Sequence, residues 1–116
     1  MDLTSTHFRY LLVIYQLSQV RPAVSSAGVA GTLRVSRPSV TRMLSILAEK
    51  DLVTKERYGK IALTERGMAL ARQQQDYVHR LALRIPNLGL ELTDQEVEQA
   101  ALTLAAVLPP RCRGEL

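Results

Sequence analysis

A chain of 116 residues, 47% hydrophobic but only 4% aromatic, has room for one domain with a small, mainly aliphatic core. No apolar run approaches a membrane span, "MDLTSTHFRY" has no basic segment leading into an apolar one, and the lone Cys112 has no intrachain disulfide partner. These features argue against a spanning or disulfide-stapled secreted protein, so a cytoplasmic location is expected; the net charge of +4 is modest and carries information only through its placement.

"STHFRYLLVIYQLSQ" predicts a first helix over about residues 5–18, capped by Ser5 or Thr6, with Phe8, Leu11, Leu12 and Tyr15 at helical spacing. "VRPAVSS" interrupts it at Pro22. Ser26 then caps a short second helix through Leu33, in which Gly28 and Gly31 each cost about 1 kcal/mol relative to Ala, so this helix leans on tertiary packing. "RVS" is a tight turn. Ser36 caps a third helix, residues 36–49, which tolerates Pro38 in its first turn and buries a stripe of Val40, Met43, Leu44 and Leu47. Two short strands follow, "KDLVTKE" with Leu52, Val53 and Thr54, and "IALT", joined by a turn around Gly59. Thr64 caps a long fourth helix with Glu65 in its first turn, ending at Pro86. "NLGLE" is a loop, and "TDQE", Thr93 to Glu96, is a capping box opening a last helix that runs to about Leu108 and stops at Pro109 and Pro110. The tail "RCRGEL" is expected to lack order.

The expected fold is mainly α with a small two- or three-stranded β-wing, a winged helix-turn-helix plus a C-terminal dimerisation helix. Residues 1–85 form the DNA-binding unit including the long fourth helix, residues 86–108 the dimerisation helix, and residues 109–116 a flexible tail.

Residues 34–60 hold Arg34, Arg37, Arg42, Lys50, Lys55, Arg57 and Lys60 against Glu49, Asp51 and Glu56, so the whole net excess lies within this segment. Charge alone fits a solvated face as well as a polyanion partner. The residue types on the third helix add to it: opposite the apolar stripe stand Ser36, Arg37, Pro38, Ser39, Thr41 and Arg42, with Ser45 farther along. These side chains are short enough for close approach to a major groove, or able to chelate a guanine edge or a phosphate. Around Gly59 the wing carries Lys55, Arg57, Tyr58 and Lys60, suited to the phosphate backbone. Singly, each reads as a solvated surface residue; together they predict double-stranded DNA as the partner. No nucleophile–base–orienter set or Gly-rich phosphate loop is present, and the only histidines are His7 and His79, so an enzyme is not expected. The rival of a different class is a winged-helix module that binds protein without reading DNA.

"FRYLLVIYQL" and "LRVSRPSVTRMLSILAEKDLVTKERYGKIALTERG", with the long helix after them, resemble the iron- and manganese-dependent repressor family of the diphtheria toxin repressor type. The similarity runs over roughly residues 7–105 and is strongest from Val35 to Gly67, including the "LTERG" junction; MarR-type regulators share the same winged core. The resemblance implies a homodimeric transcriptional repressor in which a divalent metal, manganese or iron, couples the DNA-binding unit to the dimerisation helices. A MarR-type regulator responding to a small molecule is the alternative within the DNA-binding reading. Carried over residue by residue, most metal positions fall on non-ligands: Arg9 and Leu12 on the first helix, Val78 beside His79 on the fourth, Ala101 and Leu102 on the last. Glu98 matches, and Asp94 is a weaker second. A rearranged site would draw on Asp76, His79 and Glu98, with His7 in reach; otherwise Asp76 pairs with Arg80 at i,i+4 and His79 is an ordinary surface or interface residue. No cofactor is therefore expected. Cys112 reads as an inert thiol, although Arg111 and Arg113 flank it.

Val97, Ala100, Ala101, Leu104, Ala105 and Leu108 give the last helix an apolar stripe. It is expected to build a C2 homodimer together with the first helix and part of the fourth; the alternative is that it completes the core of the single chain.

Overall fold

Each of the five α-helices opens on a hydroxyl that accepts a hydrogen bond from the amide three residues on: Thr4 from His7, Ser25 from Gly28, Ser36 from Ser39, Thr64 from Gly67 and Thr93 from Glu96. The computed structural model describes residues 3–114 of the chain. In order they form α1 (Ser5–Val20), β1 (Val24–Ser25), α2 (Ser26–Leu33), α3 (Arg37–Glu49), β2 (Val53–Lys55), β3 (Lys60–Leu63), α4 (Glu65–Arg84) and α5 (Asp94–Val107). Single 3-10 turns occupy Arg57–Gly59, Ile85–Leu88 and Pro110–Gly114.

The capping positions of α1 and α2 lie one residue or more before those expected. Thr4 wins over Ser5 and Thr6 because His7 completes a capping box, its Nδ1 accepting the Thr4 amide at 3.0 Å. Ser25 wins over Ser26 because it is the last extended residue of β1, the conformation a capping residue requires. That two-residue strand pairs Val24 with Ile61 and Ser25 with Lys60, giving a three-stranded antiparallel sheet in the order β1-β3-β2. The β2–β3 register is Val53 with Leu63, Thr54 with Ala62 and Lys55 with Ile61. The connecting turn has two consecutive left-handed residues, Tyr58 and Gly59, and closes through the Glu56 amide donating to the Lys60 carbonyl at 2.7 Å.

Two hydrophobic clusters sit along the molecule. The larger joins α1, α2, α3 and the sheet through Leu11, Ile14, Val29, Val40, Leu44, Leu47, Leu52 and Ile61. The smaller lies between α4 and α5 around Tyr77, Leu81, Ile85, Ala101 and Ala105. Ala101 and Ala105 of the α5 stripe are buried against the chain's own α4, while Val97, Ala100, Leu104 and Leu108 pack on this second cluster half-buried.

The tail differs from the expectation of disorder. Residues 110–114 make a turn whose Arg113 is 6% exposed, its guanidinium 3.9 Å above the Phe8 ring centroid and its Nε donating to Gln74 Oε1 at 2.9 Å. Arg80 Nη2 donates to the Arg113 carbonyl at 3.1 Å. The physical reason is a stacking site made by α1 and α4 together, which no local pattern around "RCRGEL" announces. The rest of the expected tail, Glu115 and Leu116, lies outside the described residues.

Burial, reinforced by nearby Lys50, holds the His7 imidazole below its ordinary pKa of 6.5. The unfolded chain therefore binds more protons there, so the contribution of His7 is complete above 6.5 and is lost as pH falls below that value. Denaturant unfolding across this range will show stability dropping toward acid, and His7→Gln will flatten that part of the profile.

Candidate nucleic-acid interface

The sequence of α3 presents its polar edge to solvent. Ser36, Arg37, Pro38, Thr41, Arg42 and Ser45 are exposed and Ser39 is half-buried, while Val40, Leu44 and Leu47 are fully covered on the other side. Met43 is only partly buried, packed against the same cluster. A hydrogen-bonded row stiffens the leading end. The Ser39 amide donates to Ser36 Oγ at 3.2 Å, the two hydroxyls lie 2.8 Å apart, and Arg42 Nη2 donates to Ser39 Oγ at 3.3 Å. Pro38 in the first turn costs no helical hydrogen bond, because those amides have no intrahelical acceptor.

The approach to this helix is equally defined. Arg34 takes the left-handed conformation to end α2, and the Val35 amide donates back to the Ala30 carbonyl at 3.1 Å. Val35 packs into the core, so only two residues separate the capped end of α2 from the Ser36 cap of α3.

The wing stands on the same side. Lys55, Arg57, Tyr58 and Lys60 are all exposed, Tyr58 to 93%. Lys55 Nζ donates to Ser45 Oγ at 3.4 Å, and Thr41 of α3 shares a hollow of about 110 Å³ with Lys55, Gly59 and Lys60 of the wing. Helix and hairpin thus meet directly, with Lys55 and Lys60 of the wing beside Thr41 and Ser45 of α3. Ser26, at the start of α2, borders the same hollow and was not anticipated from the sequence. Its signal was the run of serines in "VSSAG", which reads equally well as capping alone.

The positions implied for a metal come out differently. Arg9, Leu12 and Leu102 line one cavity between α1 and α5. In a neighbouring hollow of about 320 Å³, His79, Asp94 and Glu98 appear beside Leu12, Val78 and Leu102. Asp76 is paired with Arg80 Nε at 3.1 Å, as the i,i+4 spacing implies. Among the described residues, no three His, Cys, Asp or Glu side chains stand close enough to hold an ion together. A divalent cation needs several such donors, so the residues present do not fit the metal that the resemblance implies. Cys112 is half-buried against the α4–α5 cluster.

Comparison with known proteins bears on the fold and the family. Residues 2–61 match the iron dependent repressor, N-terminal DNA binding domain family. Over 99% of its length the chain is similar to the manganese regulator SloR, at 26% identity and a TM-score of 0.74, covering 52% of that protein. Over 94% it is similar to the metal-dependent transcriptional regulator MtsR, also at 26% identity, with a TM-score of 0.73 and 50% of that chain covered. IdeR of T. acidophilum shares the fold at 21% identity and a TM-score of 0.76, over 99% of this chain and 53% of that one. The chain therefore spans about half the length of these three proteins. SloR and MtsR are regulators, and all three proteins share the overall fold of this chain. With more than half its length inside the family's own domain, this chain belongs to the iron-dependent repressor family and carries that family's DNA-binding domain.

Proposed function

We propose that the chain is a sequence-specific transcriptional repressor acting as a homodimer, with α3 entering the major groove and the wing lying on the backbone. The observation that carries this reading is the shared surface of Thr41, Ser45 and the wing lysines, joined by the Lys55–Ser45 hydrogen bond. A rod with a short, cationic leading edge flanked by a basic hairpin matches a groove flanked by phosphates. In this reading Ser36, Arg37, Pro38, Ser39, Thr41 and Arg42 meet base edges and nearby phosphates. Ser45, Lys55, Arg57, Tyr58 and Lys60 position the domain.

For the dimer, the α5 stripe is only partly covered by α4, and Leu83, Leu88, Leu90 and Leu92 are exposed within ten residues around the end of α4. Exposed leucines at this density favour a contact with a second copy. We propose that this segment, with α5 behind it, is the dimerisation unit, and that residues 1–85 are the reading unit. Two reading helices related by a two-fold axis then meet half-sites about 34 Å apart.

Selection of bound duplexes from a random pool tests the proposal. It should enrich a roughly palindromic motif whose affinity falls steeply with salt. Failure to enrich any motif, or binding insensitive to salt, favours a protein-binding module instead. On the enriched duplex, Lys60→Ala should weaken binding about equally for matched and unmatched sequences and lower the salt slope by about 1.

A further inference from the structure

A cavity of about 370 Å³ lies between α1, the end of α2, α4 and α5, apart from the surface that faces DNA in the proposed reading. Its wall is apolar where Leu12 and Leu33 are buried and Leu102 is half-buried. Gln74 and Thr103 supply polar groups, and Arg9 supplies a guanidinium. Among the described residues no Asp or Glu lines it. Among the described residues Arg9 has neither an ion pair nor a hydrogen bond to a side chain. Gln74 is 3% exposed, and with Oε1 occupied by Arg113 its amide nitrogen is the group left to donate.

A permanent cation beside an apolar hollow, with no counter-charge among the described residues, selects a ligand that has an anionic end and an apolar body. The volume falls at the small end of the range for organic ligands. The same guanidinium disfavours a metal cation at this place. We propose that the cavity binds an amphipathic organic monocarboxylate, its carboxylate on Arg9 and its body against Leu12, Leu33 and Leu102. Leu33 is the last residue of α2, three residues before the Ser36 cap of α3, while Leu102 belongs to α5. An occupant bridging the two fixes the reading helix relative to α5, so binding is coupled to duplex affinity; this coupling, unlike the binding, rests on the function proposed above.

The test is isothermal titration of the full chain with 2-naphthoate and with its uncharged analogue 2-naphthamide. Naphthoate should bind saturably at one site per chain, roughly tenfold or more tighter than the amide. Arg9→Met, at an exposed position, should keep the wild-type melting temperature and lower naphthoate binding to the amide level. Ala106→Trp, which fills the cavity from α5, should abolish binding of both. Saturating naphthoate should change affinity for the selected duplex by about fivefold or more. Absent saturable binding, equal binding of acid and amide, or undiminished binding by Arg9→Met overturns the site. Bound naphthoate with unchanged duplex affinity overturns the coupling. Ligand-free duplex binding, measured alongside, separates the two readings: its absence removes the proposed function and leaves the cavity result standing.

Discussion

Arg42→Ala is expected to weaken binding to the selected duplex by about 1–3 kcal/mol, roughly 5- to 150-fold, and to change binding to unrelated duplex far less. The side chain is exposed and, among the described residues, bonded only to the Ser39 hydroxyl at 3.3 Å, so the folded domain loses little when it is removed. Alanine is also the best helix former, which keeps α3 intact. The melting temperature should accordingly stay near wild type while the affinity difference between matched and unmatched duplex shrinks. Ser36→Ala makes a useful contrast. It removes the α3 cap, with an expected cost of about 1 kcal/mol to stability, and so lowers both melting temperature and affinity. An Arg42→Ala protein that binds its duplex as wild type does would take the reading edge away from this helix.

The second large effect is on the fold. Gly67→Ala should destabilise the domain by roughly 3 kcal/mol or more, a large share of the few kcal/mol by which small domains are stable. A β-carbon at Gly67 would lie 2.0 Å from the Leu52 carbonyl oxygen, and Leu52 is fully buried. The backbone there has little freedom to yield. The Leu52 carbonyl accepts the Thr64 amide at 3.1 Å, Thr64 Oγ1 donates to the Asp51 carbonyl at 2.7 Å, and the same oxygen accepts the Gly67 amide at 3.0 Å. Any shift of α4 away from Leu52 strains that chain of bonds and moves the wing, because β2 begins at the next residue. Gly31→Ala is the matched control: nothing lies within 4 Å of its added carbon, it sits inside α2, and the change should stabilise by about 0.5–1 kcal/mol. Denaturant unfolding of both variants measures the difference.

Much of the fold was legible in the sequence because its signals are local. Ser36, Thr64 and Thr93 precede apolar runs at helical spacing, and each caps the helix expected of it. The turn at Gly59 and the two strands around it follow from β-suited residues flanking a left-handed position. What stayed hidden depends on partners distant in the chain. Val24 and Ser25 are too few to show a strand period, and pair only because β3 presents a free edge far along the chain at Lys60 and Ile61. Arg113 reads as one cation in a polar tail until Phe8 and Gln74 are brought under it. The α5 stripe was expected at a homodimer interface, and an apolar face does not itself say that Tyr77 and Leu81 of the same chain cover part of it. The edge of α3 was legible as a face, and its junction with the wing through Lys55 and Ser45 emerged only in three dimensions.

The most direct test of the account is amide NMR of the whole chain titrated with its selected duplex. The largest shifts should fall on residues 36–45 and 55–60, with Ser26 beside them, and should fade as salt is raised. Shifts concentrated on α5 or on the α4–α5 loop, with α3 and the wing unmoved, would contradict it.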